Sequence, residues 1–307
     1  MKTADLREQK EKRNAALSSV IAAVCLTGLK LVVGIATRSL GILAEAAHSA
    51  LDLVAATMTL FAVRAADRPA DTGHPFGHGK VENLSALFET LLLLVTSAWI
   101  IYEAVDRLLF ESVQVEASVW AFAVMLTSIV VDVSRSRVLY RVARKYNSQA
   151  LEADALHFRT DIWSSSVVVL GLVGVWLADR FPRVDFLVHA DGLAALVVAV
   201  IVICVSGRLG WASIQALVDS APWGLAERIR QTIEALPGVE DCHQVRIRPS
   251  GARWFIDLHV TMDGERSLEE AHAVTEVIER EIRRLIPTAD ITIHTEPNKT
   301  GSDPKMS

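Results

Sequence analysis

The hydrophobic positions of this chain form six long runs, followed by a C-terminal part in which apolar and charged residues alternate at short range. Each run is at least the roughly 20 residues that a helix needs to cross the hydrocarbon core of a bilayer. The pattern therefore predicts an α-helical membrane protein with six transmembrane helices. The runs cover residues 14–36, 41–65, 84–109, 116–139, 154–179 and 186–209.

After about residue 220 the pattern is typical of a small soluble domain. Amphipathic stretches with helical spacing alternate with stretches of strand-like spacing. Ser267 is the expected N-cap of the second helix, because Glu270 follows three residues later. The element order predicts a cytosolic α+β domain, αββαβ and ferredoxin-like. Its elements are a helix at 224–239, strands at 243–251 and 253–264, a helix at 267–287 and a strand at 289–297.

This pattern divides the chain into four predicted parts. They are a cytosolic N-terminal segment (1–13), a six-helix transport domain (14–212), a cytosolic metal-binding and dimerisation domain (213–297) and a disordered tail (298–307). The composition agrees with a membrane protein, since 51% of the residues are hydrophobic. The three cysteines show no paired spacing, so neither a disulfide framework nor a cysteine-rich zinc site is expected. No nucleic-acid partner is expected.

The distribution of Lys and Arg predicts the orientation in the membrane. Thirteen of them fall in the N-terminal segment and in the connections between spans 2 and 3 and between spans 4 and 5, against four on the other side. Positive charge concentrates on the cytoplasmic side of membrane proteins. We therefore expect a multi-pass protein of the inner cell membrane with both termini in the cytoplasm.

Two predicted spans carry the same unusual pair of ionisable residues. His48 and Asp52 are four positions apart in span 2, and His157 and Asp161 have the same spacing in span 5. Residues four apart share one face of a helix. Ionisable groups within a bilayer usually face the bundle interior and mark ion pathways. An interhelical hydrogen bond is the structural alternative, but two identical pairs favour a tetrahedral metal site with two nitrogen and two oxygen ligands, a set that suits zinc.

Histidines also cluster outside the spans. Asp71, His74 and His78 lie in a glycine-rich connection, which is either a polar turn or a second metal site. In the C-terminal domain, strand alternation places His259 on the face opposite Ile256 and Leu258. We predict a metal cluster in that domain, formed by His243, His259, His272, His294 and Glu296.

These residues resemble the cation diffusion facilitator family over nearly the whole chain. The resemblance is carried by "HSALD" in span 2, "HPFGHGKVE" after it, "HFRTD" in span 5 and the histidine-rich αββαβ domain, in that order. It implies a homodimeric exporter, not an enzyme, that exchanges cytosolic divalent metal for protons. It assigns the two His-x-x-x-Asp pairs to the transport site, the connection to a second site, and the domain histidines with Glu296 to a binuclear site near the dimer contact.

Zinc is the expected metal, since the resemblance favours zinc-type members over those that carry iron or manganese. Fe²⁺, Mn²⁺, Cd²⁺, Co²⁺ and Ni²⁺ stay open as alternatives, because sites with nitrogen and oxygen ligands also bind other divalent cations. An intramembrane metallohydrolase is the alternative from another class. It lacks support in the sequence, where neither H-E-x-x-H nor G-x-S-x-G occurs. A metal-gated channel is disfavoured, because tight coordination slows release.

Overall fold

The computed structural model of the chain describes residues 2–109, 119–180 and 187–298, which divide into two compact units between Ile214 and Gln215. Apart from Asn298, the expected disordered tail lies outside these residues. The elements are α1 (Lys2–Thr37), α2 (Leu40–Ala66), α3 (Lys80–Leu109), α4 (Val119–Tyr146), α5 (Gln149–Arg180), α6 (Leu187–Leu217), α7 (Leu225–Glu234), β1 (Asp241–Ser250), β2 (Arg253–Met262), α8 (Leu268–Leu285) and β3 (Ala289–Pro297).

Helices α1–α6 correspond to the six apolar runs. In the described residues, four of them contain stretches long and apolar enough to cross a membrane. The described parts of α4 and α5 are not among these four stretches. The first unit is therefore a helical membrane domain, and six crossings stay a prediction. The four candidate spans are Leu6–Thr37, Glu45–Ala66, Lys80–Trp99 and Leu196–Leu217.

Small side chains allow the helices of this domain to approach closely. Ala16 on α1, Ala56 on α2 and Ala155 on α5 are fully buried in one core cluster, together with the larger Phe158. In a membrane, helices associate mainly through such close packing, since lipid is as apolar as the side chains that face it. This packing brings α2 and α5, which carry the two His-x-x-x-Asp pairs, into direct contact.

A buried charge cluster joins four helix ends of the membrane domain. Lys12 Nζ on α1 lies 2.7 Å from Asp67 Oδ1 at the end of α2 and 3.2 Å from Glu82 Oε1 on α3. The hydroxyl of Ser148, just before α5, donates to the other oxygen of Glu82. Lys12 and Arg135 are among the thirteen Lys and Arg that are predicted to lie on the cytoplasmic side, yet both are buried within the bundle.

The second unit has the predicted αββαβ order. Strand β2 lies in the centre of the sheet, antiparallel to β1 and parallel to β3. Ile229 on α7 and Ile278 on α8 are fully buried in the same core as Ile256 and Leu258 of the sheet. The capping box at the start of α8 is confirmed: Ser267 and Glu270 each accept a hydrogen bond from the backbone N–H of the other.

A β-bulge in β1 decides which face carries His243. Val245 packs towards the core and Ile247 is buried in it, so strict alternation would turn His243 inward as well. Instead the β1–β2 register shifts between His243 and Arg246, and Gln244 adopts a φ of 51°. The extra residue reverses the alternation. His243 is therefore paired with His259 on the outer face of the sheet.

Candidate metal sites

The two His-x-x-x-Asp pairs meet between α2 and α5. His157 Nε2 lies 3.1 Å from Asp52 Oδ1 and 3.6 Å from Asp161 Oδ2. His48 Nε2 lies 3.8 Å from Asp161 Oδ1 and 3.9 Å from Asp52 Oδ1. Each imidazole thus approaches one carboxylate of its own helix and one of the other helix. We call these four side chains the transport cluster.

The spacing of the transport cluster suits one metal ion. In a tetrahedral zinc site with bonds of about 2.05 Å, neighbouring ligand atoms lie about 3.4 Å apart. The four distances above, 3.1–3.9 Å, bracket that value, but the two distances to Asp161 involve different oxygens. The ligand atoms that all lie within 4.8 Å of one another belong to His48, Asp52 and Asp161, and His157 Nε2 lies beside them, 3.1 Å from Asp52. Asp52, His157 and Asp161 are largely buried, whereas the His48 side chain is 42% exposed. The Nδ1 atom of His157 has no hydrogen-bond partner among the described residues.

A second group lies in the connection between α2 and α3. His74 Nδ1 is 3.2 Å from Asp71 Oδ1, and His78 Nε2 is 3.4 Å from Asp71 Oδ2. The backbone N–H groups of His74 and Gly73 donate to Asp71 Oδ1. The first of these bonds is the main cause that lowers the pKa of the Asp71 carboxyl, so the group is ionised at neutral pH. The connection thus brings together three side chains that can bind a metal ion, on an exposed turn.

The third group lies on the outer face of the sheet in the second unit. His243, His259 and His294 occupy adjacent strands and are paired across β1, β2 and β3. Glu296 lies at their centre: its oxygens are 2.8 Å from His259 Nδ1, 3.6 Å from His243 Nε2 and 3.8 Å from His294 Nε2. The hydrogen bond from His259 is the main cause that holds the pKa of Glu296 below its ordinary value. We call these four residues the sheet cluster.

His272 is placed apart from the sheet cluster. It lies on α8, its side chain is 72% exposed, and its Nε2 lies 3.8 Å from Glu276 Oε1 on the same helix. The three described groups whose ligand atoms all lie within 4.8 Å of one another include neither His272 nor His294.

The sequence pattern did not identify several buried ionisable residues of the membrane domain. Lys30 on α1 donates to Ser49 Oγ at 2.8 Å and to Glu45 Oε2 at 3.1 Å, one turn from His48. Glu89 on α3 and Asp154 on α5 are fully buried. None of the three residues shows the repeated spacing that identified the histidine pairs. Their position inside predicted spans was the available signal.

Comparison with known proteins gives matches over nearly the full chain. A family model described as the cation efflux transmembrane domain matches residues 16–218, and one described as the cation efflux protein cytoplasmic domain matches residues 222–298. The cation-efflux pump FieF of Yersinia enterocolitica is 33% identical over 286 residues, which cover 92% of each chain. FieF of Pectobacterium atrosepticum is 32% identical with the same coverage.

Among solved structures, the metal-bound C-terminal domain of the CzcD transporter from Thermotoga maritima is 34% identical to part of this chain. It covers 25% of this chain and 90% of its own, with a TM-score of 0.23. The two family models together span the membrane domain and the soluble domain, in the order found here. The chain therefore belongs to the cation diffusion facilitator family of cation efflux transporters.

Proposed function

We propose that this protein exports divalent metal, most favourably Zn²⁺, from the cytoplasm in exchange for protons. The observation that supports this best is the transport cluster, in which two imidazoles and two carboxylates from α2 and α5 converge at 3.1–3.9 Å. Two carboxylates balance the charge of a divalent ion, which lowers the cost of holding that ion away from water. Imidazole nitrogens favour zinc over the harder ions manganese and magnesium.

Proton exchange follows from the chemistry of the ligands. An unperturbed imidazole has a pKa of about 6.5 and binds metal only when it is deprotonated. Protons and metal therefore compete for His48 and His157. Metal prevails at the near-neutral pH of the cytosol, and protons gain on a more acidic outer side. Alternating exposure of the cluster to the two sides then gives antiport.

The remaining features fit a homodimer in the inner membrane. In this proposal, residues 14–212 cross the bilayer six times, and both termini and residues 213–297 lie in the cytoplasm. The sheet cluster, with His272, binds resident zinc near the contact between two chains and acts as a sensor. The turn formed by Asp71, His74 and His78 holds a further cytosolic metal ion.

The proposed activity is tested by transport in proteoliposomes. Zinc entry should be faster when the vesicle interior is more acidic than the outside. Zinc entry should also drive protons out of the vesicles, and a pH-sensitive dye inside the vesicles detects this movement. Zinc flux that moves no protons would instead indicate a channel. Parallel assays with cadmium, manganese and iron(II) give the order of preference, and zinc is expected to rank first among the biological metals.

Replacing His48 by aspartate should shift the preference towards manganese and iron(II). The change gives a cluster of three carboxylates and one imidazole, and carboxylates suit harder ions. We expect the ratio of manganese to zinc transport to rise about 10-fold, a change of about 1.4 kcal/mol in relative affinity. Competition assays measure the ratio. An unchanged ratio in His48→Asp would remove His48 from metal selection.

A further inference from the structure

Two carboxyl groups close to the transport cluster are buried without a full set of partners. Glu89 on α3 and Asp154 on α5 have no exposed surface. One oxygen of each accepts a hydroxyl hydrogen bond, Glu89 from Thr59 and Asp154 from Ser19. The second oxygen of each has no hydrogen-bond partner among the described residues. An ionised carboxylate with an unused buried oxygen is costly, and a proton on that oxygen removes most of the cost.

Other charges in this region do not compensate the pair. Arg135 on α4 shares Ser19 with Asp154: its guanidinium donates to Ser19 at 3.0 Å and to Asp132 at 3.3 Å, and it stacks on the Phe158 ring. Neither Glu89 nor Asp154 forms a salt bridge within 4.0 Å in the described part of the chain. Three carboxylates thus share one guanidinium, so the region is neutral only when protons or an added cation supply the difference.

The pair is coupled to the transport cluster by position. Asp154 precedes His157 by three residues and shares its face of α5. Glu89 lies within electrostatic range of both Asp154 and His157, and Asp154 also within range of Asp52 on α2. A divalent ion at the cluster favours ionised carboxylates nearby, most strongly where water is excluded. Departure of the ion favours their protonation.

We propose that Glu89 and Asp154 form a proton-binding pair, separate from the metal ligands, that releases a proton when metal occupies the transport cluster and regains it when metal leaves. This inference rests on the proposed metal/proton exchange. It adds a second proton-binding group to the imidazoles of His48 and His157. Thr59 and Ser19 hold the pair in place from α2 and α1. Asp132, which accepts a hydrogen bond from Arg135 at 3.3 Å, is a third buried carboxyl group of this region.

The test is the number of protons released when purified full-length protein binds zinc in weakly buffered detergent solution. Glu89→Gln and Asp154→Asn should bind zinc and release fewer protons than the wild type, and the double variant should release about one proton less per chain. Glu152→Gln is the matched control, a partly exposed carboxylate on α5, and should release as many protons as the wild type. If all variants release as many protons as the wild type, Glu89 and Asp154 do not bind the exchanged proton.

A second measurement uses the wild-type protein alone. It tests whether Glu89 or Asp154 is protonated in the metal-free protein, even where a variant does not fold. Dicyclohexylcarbodiimide reacts with protonated carboxyl groups in apolar surroundings. Mass spectrometry should find Glu89 or Asp154 labelled near pH 6.5, with labelling suppressed by saturating zinc; an unlabelled pair would refute the proposal. If the wild type binds zinc without releasing protons, both the proton-binding pair and the proposed metal/proton exchange are refuted. If the wild type releases protons and the variants release equally many, only the role of Glu89 and Asp154 is refuted.

Discussion

Replacing Asp161 with asparagine should reduce zinc transport about 100-fold or more while the protein still folds and dimerises. The oxygens of Asp161 lie 3.8 Å from His48 Nε2 and 3.6 Å from His157 Nε2, so this carboxylate approaches both imidazoles. Asparagine preserves the shape and removes one of the two charges that balance the metal. Loss of even an outer-shell partner typically costs roughly 10–100-fold in metal affinity, and a direct ligand should cost at least as much.

Initial rates of zinc entry into proteoliposomes measure this effect. Asp290→Asn is the matched control, since Asp290 is an exposed carboxylate at the start of β3, outside every metal group described above. It should transport at the wild-type rate. Gel filtration and a melting curve verify that the Asp161 variant is folded. A folded variant that transports zinc nearly as fast as the wild type would exclude Asp161 from the transport site.

Zinc should raise the melting temperature of the isolated cytoplasmic domain, residues 213–298, by about 10 °C or more. A ligand at 100 times its Kd stabilises a protein by about 2.7 kcal/mol. In a domain of this size each kcal/mol moves the melting temperature by roughly 4–8 °C. His259→Ala should abolish most of the rise, because His259 lies between His243 and His294 in the sheet. A chelator should reverse the rise in the wild type.

Thr292→Ala is the control for His259→Ala, because Thr292 lies on the same outer face of β3 as His294 and offers no metal ligand that the proposal uses. His272→Ala asks a separate question. If His272 completes the site across a dimer contact, its loss should reduce both the rise and the dimer fraction in the presence of zinc. Binding of zinc that leaves the melting temperature unmoved would contradict the proposed sensor.

The sequence allowed much of the fold and of the transport cluster to be predicted, because both follow from simple periodicities. Residues at i and i+4 share a helix face whatever the tertiary structure, so the pairing within His48–Asp52 and within His157–Asp161 could be read directly. Alternation likewise placed His259 opposite the buried Ile256. Contact between the two helical pairs was an inference from their repetition, and the structure brings them together at hydrogen-bond range.

The features that could not be predicted depend on departures from periodicity or on tertiary contacts. Alternation through Val245 and Ile247 would direct His243 into the core, and only the bulge at Gln244 turns it outward. Nothing in the local sequence requires that bulge, because Gln244 is not a residue that favours positive φ. The burial of Glu89 and Asp154 arises where helices distant in sequence meet, and hydropathy alone does not reveal it.

The charge cluster at Lys12 limits how the membrane domain can move. Separating α1 from α3 at that end would leave the Lys12 ammonium and the Glu82 carboxylate buried without each other, and breaking a buried ion pair costs roughly 3–5 kcal/mol. Asp67 and Ser148 connect the ends of α2 and α5 to the same charge cluster. A rocking motion that presents the transport cluster to each side in turn would therefore carry these four helix ends together, and the gap that admits the ion would open farther along the helices.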